Sequence, residues 1–427
     1  MDWKIQSANA LRGCVEAPGD KSISHRALLH AALANGTSRL THFLRAGVTE
    51  AMLRCVRDLG VEVETAPDSE LLVHGGHWRS PAAMLDCGNS GATIRMLMGA
   101  LAGQRDLAAT LTGSVGLRRR PMKRVAEPLR LMGADIAGDT PPLMIRGQPL
   151  RGVEYTLPVA SAQIKAAILL AALQADGPTT LHEPGPSRDH SERLLRSIGV
   201  EVLSEGSTVT LTPPTQPLAG FDLTVPGDVS SAAFLFAAAA LVPNSEVTVP
   251  GVGVNDTRTG LLEALIEMGA AIGLENWREI NGELIADVTV KTSALRGITI
   301  GGDWVVRMID EFPILAVLAT QAKGETRVRD AEELRVKESD RIAMLAMELR
   351  QLGAHIEERP DGFVIEGPVR LHGAVVDSHG DHRLAMSLAV AGLIAEGETT
   401  ITNAEAYRES FPNFADLMRS LGARIEG

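Results

Sequence analysis

The stretch Ile342-Ala343-Met344-Leu345-Ala346-Met347-Glu348-Leu349-Arg350-Gln351-Leu352-Gly353-Ala354 sets the reading of the whole chain. Ile342, Leu345, Leu349 and Leu352 recur at three- and four-residue spacing, one face of an amphipathic helix. The helix stops at a glycine, because a helix end commonly needs a left-handed residue and glycine adopts that backbone without steric cost. The same ending, an apolar residue, then Gly, then Ala or Val, occurs at Leu59-Gly60-Val61, Met132-Gly133-Ala134, Ile198-Gly199-Val200, Met268-Gly269-Ala270 and Leu421-Gly422-Ala423. By subtraction the six glycines are 73, 66, 70, 84 and 69 residues apart. One copy would mark a helix end; six at a near-constant interval mark a repeated unit.

Each unit carries a second helix of different character, expected over 22–34, 90–102, 161–173, 230–241, 312–322 and 382–394. These segments are rich in Ala, Leu and Met and have little polar face after the first turn, so they are read as buried on all sides. Strand candidates alternate, as in 208–212 and 285–290. The fold class expected is therefore α/β. Three units around three buried helices make one domain, and six units make two.

The bulk numbers bound the function. The chain has 427 residues, 45% hydrophobic and 22% charged, an ordinary globular balance too long for one core. Its net charge of −12 argues against a general nucleic-acid binder, which needs a basic footprint. A local cluster of cations can still hold an anionic small molecule. The three cysteines, Cys14, Cys55 and Cys87, are an odd, unpaired set that suits a reducing compartment. Met1-Asp2-Trp3-Lys4 does not open a signal peptide, and the longest apolar run, 232–242, is too short to cross a bilayer. A cytoplasmic protein without a membrane partner is expected.

The polar residues gather where the buried helices begin. Lys21, Ser22 and Arg26 open the first; Asn89, Ser90 and Arg95 the second; Ser161, Gln163 and Lys165 the third. Asp228, Ser230 and Ser231 open the fourth, Asp310 and Glu311 precede the fifth, and Asp381, His382 and Arg383 open the sixth. Helix starts present free N–H groups and a positive dipole end, which favour anions. If the three helices of a domain run parallel, their starts share one face, and two such faces across a hinge would make a cleft for a multiply anionic ligand.

Within that frame, Gly88-Asn89-Ser90-Gly91 lets a ligand approach closely, and Arg118-Arg119-Arg120-Pro121-Met122 is a cationic loop that alone would read as solvated charge. In Leu334-Arg335-Val336-Lys337-Glu338-Ser339-Asp340-Arg341, Ser339 or Asp340 can cap the following helix, and Glu338 is a candidate proton carrier among cations. Asp310 and Glu311 head a buried apolar helix, where a carboxylate can act as general base on a hydroxyl. A simple N-cap would explain one of them but not both. His379 and His382 stand three apart beside Asp377 and Asp381, but no second ligand cluster accompanies them, and a metal site is not expected. There is no Gly-x-Ser-x-Gly elbow, Walker loop or dinucleotide fingerprint.

Eight of these pieces, in order, carry a resemblance: Asp20 to Arg26, Gly88 to Gly91, Arg120-Pro121-Met122, Ala160-Ser161-Ala162-Gln163, Arg188-Asp189-His190, Asp310-Glu311-Phe312-Pro313, Leu334 to Arg341, and Asp381-His382-Arg383. From end to end the chain resembles the 5-enolpyruvylshikimate-3-phosphate synthase family, the 3-phosphoshikimate 1-carboxyvinyltransferases. The resemblance implies a two-domain inside-out α/β barrel of six βαβαββ-type repeats, three per domain. It implies a discontinuous domain of residues 1–19 plus 228–427, a domain of residues 20–227, and an active site in the cleft between them. The activity implied is transfer of the enolpyruvyl group of phosphoenolpyruvate to the 5-hydroxyl of shikimate 3-phosphate by a monomer, with neither metal nor organic cofactor.

By motif position, the resemblance assigns Lys21, Ser22, Arg26, Ser161, Ala162, Gln163, Arg188, Asp310 and Lys337 to shikimate 3-phosphate. It assigns Lys21, Gly91, Arg120, Gln163, Arg341 and Arg383 to phosphoenolpyruvate. Asp310, Glu338 and Lys21 are the catalytic groups it implies. One departure stands out: a lysine found in part of the family falls on Glu409 here, so that contact is lost or passes to Arg408. The sister family, UDP-N-acetylglucosamine enolpyruvyl transferase, usually carries a mobile-loop cysteine after the second buried helix, and no cysteine follows Cys87. A non-catalytic phosphosugar-binding module would leave Asp310 and Glu338 without a task.

Overall fold

A computed structural model describes residues 1–67 and 70–427. The six buried helices run Lys21–Leu33, Gly91–Ala102, Ala162–Ala172, Val229–Leu241, Phe312–Gln321 and His382–Gly392. The six amphipathic helices run Gly47–Asp58, Lys123–Leu131, His190–Ser197, Gly260–Glu267, Arg341–Gln351 and Phe414–Ser420. Each is closed by the expected glycine, and all six glycines have positive φ, from 86° at Gly199 to 109° at Gly422. A side chain at these positions would strain the turn.

The repeat extends further than the glycine. Five copies place an arginine three residues before it, and the guanidinium donates to the carbonyl three residues after it. The pairs are Arg57 to Val63, Arg130 to Ile136, Arg196 to Val202, Arg350 to Ile356 and Arg419 to Ile425, at 2.7–3.1 Å. Each arginine thereby ties its helix to the following edge strand. The copy around Gly269 has Ile266 instead, half exposed.

Among the described residues the strands form six four-stranded sheets, in each of which the first pair is parallel and the second antiparallel, and a small parallel pair of Leu150–Arg151 with Ala175–Asp176. Three of the expected βαβαββ repeats are continuous in sequence. The other three are completed by a strand from elsewhere. Asp222–Thr224 pairs beside Gly36–Thr41, Arg12–Cys14 beside Glu246–Gly253, and Trp3–Gln6 beside Glu398–Thr402. Trp3 anchors the last of these, stacked on Phe414 at 5.7 Å between ring centroids.

The chain forms two compact units. One comprises Met1–Pro18, Gly227–Arg278 and Leu284–Gly427; the other comprises Gly19–Pro226 with Glu279–Glu283. Each has its own hydrophobic core around three buried helices. In the second unit, Gly91–Ala102 and Ala162–Ala172 lie backbone to backbone: a Cβ on Gly99 would stand 1.9 Å from the Ala167 carbonyl oxygen. Among the described residues no helix is long and apolar enough to cross a membrane.

Candidate active site

In the unit containing residues 19–226, the buried helices are capped by Asp20, Ser90 and Ser161, whose side chains accept from the amides of Ile23, Thr93 and Ile164. The caps occupy one free N–H at each start and leave neighbouring donors for a ligand. Arg26 is buried and links two of the helices. Its Nη1 donates to the Ser22 carbonyl at 2.9 Å, its Nη2 to the Ala162 carbonyl at 3.3 Å, and its Nε to Ser191 Oγ at 2.7 Å. Burial pushes this guanidinium down to about 10, against the pull of Glu192 and Asp20, so it stays charged at neutral pH. His25 bonds the Lys21 carbonyl at 2.7 Å, and burial holds it down to about 4, so it is neutral there.

The second cluster of this unit forms around a missing side chain. A Cβ on Gly91 would stand 3.0 Å from Arg95 Nη1 and 3.2 Å from Arg120 Nη1. Arg95 in turn donates to Gln163 Oε1. Gly91, Arg120 and Gln163 are therefore brought together, with Arg95 between them. Of the arginine run, Arg118 and Arg119 are exposed and Arg120 is half-buried. Arg188 is half-buried, and its charge bears on Arg26.

In the other unit the centre is Arg341, at 2% exposure. Its Nε lies 2.8 Å from Asp381 Oδ2, its Nη2 2.9 Å from Glu338 Oε2, and its Nη1 3.6 Å from Asp310 Oδ1. Burial opposes the charge, but Asp381, Glu338 and Asp310 outweigh it and raise the guanidinium above its ordinary value. Asp381 caps the sixth buried helix through the Arg383 amide at 2.8 Å and accepts from Ser339 Oγ at 3.1 Å. Asp340, not Ser339, caps the helix that Arg341 opens.

Ser230 joins the three buried helices of this unit. Its hydroxyl donates to Glu311 Oε1, and its carbonyl accepts from Arg383 Nη1 at 2.9 Å. Glu311 stands at the N-cap of the fifth buried helix but makes no side-chain cap bond there. Buried polar atoms are rarely left unpaired. Arg341 Nη1, Arg383 Nε and Glu311 Oε2 nevertheless have no hydrogen-bond partner. Two are cationic donors, the type that an anionic ligand would satisfy.

The geometry stands beside a match over nearly the whole length. A sequence model described as EPSP synthase (3-phosphoshikimate 1-carboxyvinyltransferase) matches residues 5–418. The chain belongs to the EPSP synthase family. It is 52% identical over 419 residues to the 3-phosphoshikimate 1-carboxyvinyltransferase of Gloeobacter violaceus, covering 96% of this chain and 97% of that protein. It is 50% identical over 424 residues to the enzyme of the same name from Geobacillus kaustophilus, covering 97% and 99%. The solved EPSP synthase of Acinetobacter baumannii superposes with a TM-score of 0.90 at 43% identity, covering 100% of this chain and 99% of that one. The enolpyruvyl transferase NikO of Streptomyces tendae, at 20% identity and a TM-score of 0.82 over 100% and 98% of the two chains, shares the fold.

Not every residue that the EPSP synthase motifs select joins a cluster. Lys337 is 23% exposed, and its ion pair is with Glu333 at 3.7 Å. Arg408 is exposed, with its guanidinium over the Tyr407 ring, so nothing here places it where the missing lysine would act. His379 is engaged by Glu348 at 2.8 Å. Arg95, Ser191, Ser230 and Lys165 were not selected as EPSP synthase site residues from sequence, yet Arg95 bonds Gln163, Ser191 bonds Arg26, Ser230 bonds Arg383, and Lys165 pairs with Glu183 and Glu192. The available signal was their position within the first turns of buried helices, which Arg95, Ser230 and Lys165 share.

Proposed function

We propose that the protein transfers the enolpyruvyl group of phosphoenolpyruvate to the 5-hydroxyl of shikimate 3-phosphate, giving 5-enolpyruvylshikimate 3-phosphate and phosphate on the route to chorismate and the aromatic amino acids. The observation that carries this reading is the full-length family match. The buried cations near the helix starts support it, because two anionic substrates must be held side by side.

In this assignment the 5-hydroxyl oxygen bonds to C2 of phosphoenolpyruvate while C3 takes a proton. The C2–O bond to phosphate then breaks and C3 gives a proton back. Asp310 accepts the hydroxyl proton. Glu338, with Lys21, delivers and removes the proton at C3. Arg120, Arg341, Arg383, Gly91 and Gln163 hold phosphoenolpyruvate; Ser22, Arg26, Ser161, Ala162, Gln163, Arg188 and Lys337 hold the acceptor. Arg341 suits its part because its fork already spans Glu338 and Asp381 and keeps Nη1 toward Asp310. The free thiols of Cys14, Cys55 and Cys87 support a cytoplasmic setting.

The test is phosphate release by the purified protein, with phosphoenolpyruvate and either shikimate 3-phosphate or UDP-N-acetylglucosamine as acceptor. Release is expected with shikimate 3-phosphate alone. Release only with the nucleotide sugar would reverse the assignment.

A further inference from the structure

Lys165 is a buried cation that the reaction as assigned does not use. It lies one turn into the helix Ala162–Ala172, at 1% exposure. Its Nζ is 2.7 Å from Glu183 Oε2 and 2.6 Å from Glu192 Oε1. Both carboxylates are buried too, at 7% and 2% side-chain exposure.

Each glutamate leads to a residue assigned to the acceptor. The second oxygen of Glu183 accepts from Ser187 Oγ, which closes the loop immediately before Arg188. Glu192 follows Ser191, whose hydroxyl accepts from Arg26 Nε at 2.7 Å. A chain of contacts thus runs from Arg26 through Ser191, Glu192, Lys165, Glu183 and Ser187 to Arg188. Apart from the backbone steps between Ser191 and Glu192 and between Ser187 and Arg188, it is made of side chains.

A buried triad of this kind is an expensive way to gain stability, since an apolar side chain of similar volume commonly does as well. The helix is apolar from Ala166 to its end. What the triad supplies that Leu or Ile would not is direction: two fixed carboxylates, each holding a different segment.

We propose that Lys165, with Glu183 and Glu192, is a positioning group that fixes the spacing of Arg26 and Arg188 and so sets the affinity for the phosphorylated acceptor. The proposal rests on the enolpyruvyl-transfer reading. It separates the two substrates, because Gly91 and Arg120, assigned to phosphoenolpyruvate, and the Arg95 beside them lie outside this chain of contacts.

The experiment compares wild type with Ser187→Ala, Glu183→Gln and the charge-neutral double variant Lys165→Met/Glu192→Gln. Calorimetry gives the Kd for shikimate 3-phosphate, steady-state kinetics give both KM values, and melting checks the fold. Ser187→Ala removes one tether and no charge, so it keeps the test open if the double variant does not fold. Acceptor Kd and KM are expected to rise about tenfold, as when one charge-assisted hydrogen bond is misaligned, with the phosphoenolpyruvate KM within about twofold. Folded variants whose two KM values stay unchanged or rise equally would overturn the proposal. Wild-type protein that binds no shikimate 3-phosphate would overturn the enolpyruvyl-transfer reading as well. That outcome differs from failure of the positioning group, in which wild type and variants bind the acceptor alike.

Discussion

Arg341 Nε stands 2.8 Å from Asp381 Oδ2, and both side chains are enclosed in protein. The same guanidinium reaches Glu338, and its remaining nitrogen faces Asp310. One planar fork therefore sets the positions of the proposed base, the proposed proton carrier and the cap of the helix bearing Arg383.

Arg341→Lys is the direct probe of this arrangement. Lysine keeps the charge but not the fork, so it cannot hold Asp381 and Glu338 in their present directions. Losing two charge-assisted bonds at about 1.5 kcal/mol each lowers kcat/KM by about 100-fold. The check is steady-state phosphate release, with a melt to show that the fold survives. A less than fivefold loss would detach Arg341 from the chemistry.

Gly91→Ala should act on one substrate. The new Cβ would stand 3.0 Å from Arg95 Nη1 and 3.2 Å from Arg120 Nη1, both the far ends of flexible chains. The helix tolerates alanine, and the two guanidinium groups give way. The phosphoenolpyruvate KM is expected to rise by about tenfold while the acceptor KM and the melting temperature hold, a difference of about 1.4 kcal/mol in donor binding. Measuring both KM values checks the separation.

The repeat makes a stability prediction. Ile266 occupies the position where the other five copies carry the strand-tying arginine, and it is 53% exposed. Ile266→Arg is expected to add a bond to the Ile272 carbonyl worth about 1 kcal/mol, raising Tm by about 2 °C. Thermal unfolding of the single variant is enough to test it.

Stability should fall with acid before the carboxylates titrate. Burial holds His25 and His30 down to about 4, while an unfolded histidine titrates near about 6.5. Between those values the unfolded chain binds protons that the folded chain refuses. Stability is therefore whole above about pH 6.5 and drains away as pH falls toward about 4. His30→Gln removes one of the two sites, so its loss across this window should be shallower by on the order of 1 kcal/mol per pH unit. Denaturant unfolding at several pH values measures the slope.

The sequence made the periodic features legible. A helix end that takes positive φ favours a glycine, and a helix buried all round loses its polar face, so all twelve main helices could be located. What it could not show was rotation and reach. Nothing in the order of residues says that Arg95 turns toward Gln163, that Ser230 meets Glu311, or that Lys165 finds two glutamates at once. Those pairings depend on how the helices are phased against one another. The strands at 3–6, 12–14 and 222–224 were hidden for a related reason. Each is a few residues long and completes a sheet whose other strands lie far along the chain.

The enolpyruvyl transfer itself is tested most directly by following phosphoenolpyruvate and shikimate 3-phosphate with purified protein by NMR, in wild type and in Asp310→Asn. Wild type is expected to release one phosphate for each new enol ether formed on the 5-hydroxyl. The variant should bind both substrates but turn over about 1000-fold more slowly, the range lost with a general base. Wild-type turnover in Asp310→Asn would contradict the role given to Asp310, and no enol ether from wild type would contradict the activity.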